Sequence, residues 1–269
     1  MNLKSYVSVF KLRMSNGLQY RTAAYAGVAT QFFWGFILIM VFSAFYSASA
    51  TEPPMSLPQL VTYVWLQQAF LALIALWYRD NELFQLITTG NIAYELCRPS
   101  DLYGFWYAKL LAQRLSGAVL RCFPILIVAC FLPQSYRMAL PPDAGSFALF
   151  VVTLLLGLLV LVSISMLIYI SVFLTMSPTG SMIMFGILGE FFAGMIIPIP
   201  LMPDWMQQIA YALPFRLAAD FPFRVYTGHI PREEALAGIG IQLAWLAALL
   251  AIGKFLMSRT MRKIVVQGG

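Results

Sequence analysis

Apolar residues run through this chain in long blocks, and the polar positions between them are brief, charged or rich in proline. Six blocks stand out, at residues 23–46, 59–78, 103–132, 147–175, 181–197 and 235–256. A helix that crosses a bilayer needs about 17–25 predominantly apolar residues, and each block is long enough for that. The expected fold class is all-α: a polytopic membrane protein with six transmembrane helices. Ahead of the first block, Leu3, Tyr6, Val7, Phe10, Met14 and Leu18 recur at helical spacing with Lys4 and Lys11 beside them. That pattern predicts an interfacial helix over residues 1–20, apolar face down and lysines reaching toward head groups.

Two connections are long enough to carry structure. Residues 79–102 form a segment between spans two and three, where the pattern predicts a short helix over Asn81–Thr88 ended by a left-handed Gly90. Residues 198–232 hold Pro198, Pro200, Pro203, Trp205, Pro214, Phe215, Pro222 and Phe223. Prolines this dense forbid one straight helix but leave room for a short piece between Asp204 and Leu213. The segment reads as a re-entrant or interface-lying hairpin after span five. Backbone of that kind at membrane depth must be buried in protein or line a wet cavity.

Composition narrows the class. The chain has 269 residues, 61% hydrophobic and 10% charged, with a mean hydropathy of +0.79. A soluble domain is about 45–50% apolar and about 25% charged. A disordered chain or a water-soluble globule is therefore excluded, and the reading is a single transmembrane domain over 1–269. The net charge of +6 would suit nucleic acid, but its distribution points elsewhere. With the N-terminus inside, twelve Lys and Arg fall on cytoplasmic segments, against four (Arg137, Arg216, Arg224, Arg232) outside. That bias places both termini in the cytoplasm and predicts no nucleic-acid partner. Lys4, Lys11, Arg13 and Arg21 interrupt the first residues, so no signal peptide is read there. Cys97, Cys122 and Cys130 are odd in number and lack metal-ligand spacing, so neither a disulfide framework nor a metal site is expected.

Catalytic patterns are missing. His229 is the only histidine and has no carboxylate or cysteine partner in a metal spacing. No phosphate-binding loop, zinc-protease motif or nucleophile elbow occurs, so the chain is read as a non-enzyme that binds no cofactor itself. Four of the polar residues inside the apolar blocks are candidates for a role. Glu190 is a carboxylate in span five that must face the bundle or a cavity. It either contacts a substrate or proton, or fixes helix packing. Arg121 in span three is read as snorkelling to the inner interface. Gln67 and Gln68 in span two can bond between helices or face a polar pathway. Gly186, Gly189 and Gly194 read as sites of close packing or bending.

The order of elements resembles the permease subunits of bacterial type-2 ABC exporters. The stretch Ile87-Thr88-Thr89-Gly90-Asn91-Ile92 through Glu95-Leu96-Cys97-Arg98-Pro99 is similar to that family's coupling segment. Ile196-Ile197-Pro198 through Met202-Pro203-Asp204-Trp205, then Leu213-Pro214-Phe215, is similar to its proline-marked outer hairpin, with Pro198, Pro203, Trp205 and Pro214 as the marks. The closing Val265-Val266-Gln267-Gly268-Gly269 resembles a subgroup often encoded as two different permeases beside one ATPase. The resemblance implies an inner-membrane subunit paired with a second permease, identical or homologous. It also implies a separate ABC ATPase subunit that carries the ATP and Mg. The residues it implies for ATPase coupling are Asp80, Glu82, Phe84, Ile87, Glu95 and Arg98. Rival readings are an ion- or proton-coupled secondary transporter and a non-transporting assembly protein. Internal repeats would favour the secondary transporter, and none is evident between the halves.

Overall fold

A computed structural model describes residues 3–19, 21–49, 52–77, 80–97, 101–175 and 177–262. All regular structure among them is helical. The α-helices are α1 (Leu3–Gln19), α2 (Arg21–Ala48), α3 (Leu57–Ala69), α4 (Leu71–Ile74), α5 (Asn81–Thr88), α6 (Ile92–Leu96), α7 (Leu102–Phe131), α8 (Ala144–Thr175), α9 (Pro178–Phe192), α10 (Asp204–Ala212), α11 (Asp220–Tyr226) and α12 (Arg232–Met261). Short 3-10 turns lie at Ile199–Leu201 and Phe215–Ala218. Four helices are long and apolar enough to cross a membrane: Ala24–Ala48, α7, α8 and α12. The chain is thus all-helical and polytopic.

The second and fifth apolar blocks depart from single straight spans. In the second, a capping box starts α3: Ser56 Oγ accepts from Gln59 N while Gln59 Oε1 accepts from Ser56 N. The helix then breaks at Phe70, resumes for one turn as α4, and opens at Ala75, which is extended. In the fifth, α9 stops at Phe192 instead of reaching 197. Gly194 has φ +76°, Gly194 N donates to Phe191 O at 3.1 Å, and Met195 N donates to Glu190 O at 3.0 Å. These paired bonds form a Schellman end, which needs a residue that tolerates the left-handed region. A glycine read as a bend is in fact a terminus.

α8 is the spine. Its flanks pack on α12, α7, α9, α11 and the Phe215–Ala218 turn. Residues 60–69 of α3 are all buried, with Trp65 among the largest side chains wholly inside. α1 runs beside the first half of α7 in the same direction: Asp101 N donates to the Tyr6 hydroxyl, and Gly17 lies against Ser116. Its buried centre is Val9, while Val7, expected on the apolar face, is exposed. Residues 216–226 are buried throughout, so the proline-rich segment returns into the bundle. Its Phe221 ring presses on Gly238 of α12, and the Leu217 carbonyl presses on Gly157 of α8. Gly157 lies 13 residues into α8, about 20 Å along a helix that rises 1.5 Å per residue.

Candidate functional site

Three polar constellations sit on this frame. The first holds α5 and α6. Asp80 caps α5, its Oδ1 accepting from Glu82 N at 2.9 Å and Leu83 N at 3.3 Å. Its own N–H donates to the Tyr169 hydroxyl of α8 at 2.7 Å. The Phe84 ring lies 4.5 Å from the Tyr169 ring. Arg13 of α1 pairs with Glu82 and approaches Asp80 at 3.8 Å. Lys109 of α7 reaches Glu82 at 3.4 Å and Glu95 at 3.5 Å. Burial raises the Glu82 carboxyl, but the Arg13 and Lys109 charges outweigh it and hold the group below its ordinary range.

This geometry corrects part of the sequence reading. The family resemblance implies that Phe84 and Ile87 couple to an ATPase, which calls for side chains at the surface. They are buried in the core of this chain, as are Asp80 and Glu95. The reason is that α5 spends its apolar face on α8, through Tyr169, and α6 is fixed by Lys109. Glu82 is the exposed member of the set, and Arg98 lies outside the described residues. The face left outward carries Asn81, Gln85, Thr88 and Tyr94.

The second constellation ties the returning segment to α3. Gln67 Nε2 donates to the Gly194 carbonyl at 2.7 Å. The Tyr63 hydroxyl lies 3.1 Å from that carbonyl and 3.1 Å from Asp220 Oδ1. Asp220, wholly buried, also accepts from Ile199 N at 3.4 Å and from Arg224 NH1 at 3.3 Å. Arg224 donates further to the Tyr211 hydroxyl, and Arg216 lies over the Tyr211 ring. From α12, Gln242 Nε2 donates to the Thr153 and Leu217 carbonyls at 2.8 and 2.9 Å. Pro198 precedes the Ile199–Leu201 turn, Pro203 precedes α10, and Pro214 precedes the Phe215–Ala218 turn. Trp205 is exposed on α10.

The model of the ABC-2 family transporter protein family matches residues 32–268. The chain belongs to this family. No curated protein matches it. As an ABC-2 permease it is a multi-pass membrane transport component without an ATPase site of its own.

The third constellation of the permease lies where α4 unwinds. Arg114 of α7, buried, donates to the Leu73 carbonyl at 3.3 Å, the Ala75 carbonyl at 2.7 Å and Ser165 Oγ at 3.1 Å. Helix ends leave carbonyls without intrahelical donors, and a planar guanidinium can serve several at once. Beside it, Gly189 packs on Leu76 and Phe215. Glu190 is half-buried there, accepts from the Trp77 backbone, and leaves Oε1 without a hydrogen-bond partner. Gln68 packs its stem on Gly35 of α2, and the Arg121 guanidinium lies against Gly27 of α2, within the fold.

Sequence reasoning missed Arg114, Lys109, Asp220 and Tyr63. Arg114 and Lys109 had a signal, since both are basic residues inside an otherwise apolar run and such residues are rarely idle. They entered only as topological charges. Asp220 and Tyr63 lie in aromatic surroundings whose pattern does not announce a polar contact.

Proposed function

We propose that this ABC-2 permease forms half of the translocation pathway of an ATP-driven exporter in the inner membrane. It works with a second permease and a separate ATP-binding subunit that holds ATP and Mg. Six crossings are assigned to α2, α3–α4, α7, α8, α9 with the returning segment, and α12. Both termini and α5–α6 face the cytoplasm, in keeping with the skew of basic residues.

One observation carries this reading: α5 and α6 are locked to the bundle by Arg13, Lys109 and Tyr169. A segment that must pass motion to the spans has to move with them. α8 is 32 residues long, about 48 Å, so it exceeds a hydrocarbon core of about 30 Å. Tyr169 lies in its last turns, where the helix leaves the membrane and meets α5. ATP-driven movement of the partner then biases the bundle between two states. The partner touches the outward face of Asn81, Gln85, Thr88 and Tyr94.

The test is co-purification with the proposed ATP-binding subunit. A Gln85→Asp, Tyr94→Asp double variant should insert normally, lose the subunit, and lose coupled hydrolysis, since truncating an interface anchor often costs about 2 kcal/mol or more. Wild-type capture and hydrolysis in that variant would sink the coupling assignment. Labelling of a cysteine at position 91 from outside intact cells would sink the orientation.

A further inference from the structure

A cleft of about 570 Å³ opens between α6, the start of α7 and the last turns of α12. Its walls carry both signs of charge: Glu95 and Asp101 from the α6–α7 side, Lys254 from α12. Glu95 is already paired with Lys109, whereas among the described residues neither Asp101 nor Lys254 forms an ion pair, so these two opposite charges face one cleft without meeting. Ser258 adds a hydroxyl one turn beyond Lys254, and Leu96 and Met257 supply apolar wall. Tyr103 also lines the cleft. It is 2% exposed, and its hydroxyl, packed over Gly253, has no hydrogen-bond partner among the described residues.

The cleft lies at the rim of the lipid-facing belt. Ile252 and Phe255, on either side of Lys254, are 47% and 61% exposed, whereas Arg259 and Arg262 follow beyond. Apolar side chains there meet acyl chains, and the basic residues meet head groups.

We propose that this cleft binds the head group of a zwitterionic aminophospholipid. The ammonium sits toward Asp101, and the phosphate toward Lys254 and the Ser258 hydroxyl. Leu96 and Met257 cover the glycerol and the first methylenes. A primary ammonium donates three hydrogen bonds, and charge-assisted bonds to carboxylates are the strong ones. A trimethylated ammonium donates none. An anionic head group brings the phosphate but meets the Asp101 carboxylate with no cation to offer it.

The experiment titrates the full-length purified chain in detergent with short-chain phosphatidylethanolamine, phosphatidylcholine and phosphatidylglycerol. Bound lipid is counted by native mass spectrometry. Phosphatidylethanolamine should bind about tenfold tighter than the other two. Lys254→Gln and Asp101→Asn should each remove most of that preference while the lipid-free melting temperature stays put. Lys254 is exposed, and asparagine keeps the cap that Asp101 Oδ2 provides to Gly104 N. Equal binding of the three lipids, or an unchanged preference in the double variant, overturns the proposal. So does equal binding of soluble glycerophosphoethanolamine, which would make the ligand a free solute. Loss of the lipid on assembly with the ATP-binding subunit also overturns it, by assigning the cleft to a protein interface.

Discussion

Gln67 of α3 donates to the carbonyl of Gly194, 127 residues away, at 2.7 Å. That bond joins the buried face of α3 to the end of the helix from which the returning segment departs. Tyr63, one turn earlier, touches the same carbonyl and Asp220. The returning segment is thus held by α3 at both its departure and its turn.

The pair should be coupled energetically. Gln67→Leu leaves Tyr63 to serve the Gly194 carbonyl, and Tyr63→Phe leaves Gln67 to do so. With both removed, that buried carbonyl has lost both side-chain donors, and an unsatisfied buried group costs about 1–3 kcal/mol. The double variant should therefore lose more than the sum of the singles in detergent melting. Simple additivity would show that the carbonyl does not depend on this pair.

Arg114 should prove indispensable to the open end of α4. Arg114→Met strips donors from the Leu73 and Ala75 carbonyls and from Ser165. A loss of about 3 kcal/mol or more is expected in unfolding. Arg114→Lys should rescue little, because an ammonium lacks the planar fork that reaches three acceptors. Full rescue by lysine would mean that charge alone matters there.

Lys109 supports a third prediction. It is 4% exposed and faces Glu95, which is 7% exposed. Removing one charge of a buried pair strands the other, at about 3–5 kcal/mol. Lys109→Met should destabilise strongly, and adding Glu95→Gln should recover part of the loss. Thermal melts of the four proteins decide it, and absence of recovery would show that Glu95 is not what Lys109 holds.

What the sequence made legible was local. The α5 helix and its glycine end follow from the pattern over Asn81–Thr88 and from Gly90 as terminator, all within ten residues. Pro198, Pro203 and Pro214 marked the turns of the returning segment for the same reason. What stayed hidden was long-range. Phe84 and Ile87 looked like a docking face because Tyr169 and its helix surroundings, which cover them, lie some 85 residues downstream in the chain. Ile87→Asp, which would probe a docking face if the residue were exposed, would here bury a charge in the core. Arg114 serves main-chain carbonyls, which carry no residue type for a pattern to register. Gly194 was visible as a glycine, yet the apolar Met195, Ile196 and Ile197 after it made the helix look unbroken.

The last prediction concerns acid. Asp143 stands at the start of α8, where Oδ1 accepts from Ser146 N at 2.9 Å and Oδ2 accepts from the Ser146 hydroxyl at 3.0 Å. Arg232, at the start of α12, pairs with it. The Ser146 amide is the largest cause of its low affinity for protons, slight desolvation opposes it, and Arg232 adds to the lowering; together they take the carboxyl from 3.8 to about 2. The sign follows from linkage. A carboxyl depressed in the folded state stabilises it fully above its unfolded value, and that stabilisation fades as pH falls through the folded value. The contact between the α8 and α12 starts should hold at neutral pH and weaken between about pH 4 and about pH 2. Because the amide outranks the guanidinium, Arg232→Gln should raise the Asp143 midpoint only part of the way back. Carboxyl-carbon NMR of selectively labelled protein reads that midpoint directly. A full return to 3.8 in Arg232→Gln would show that the ion pair, rather than the helix start, sets the proton affinity.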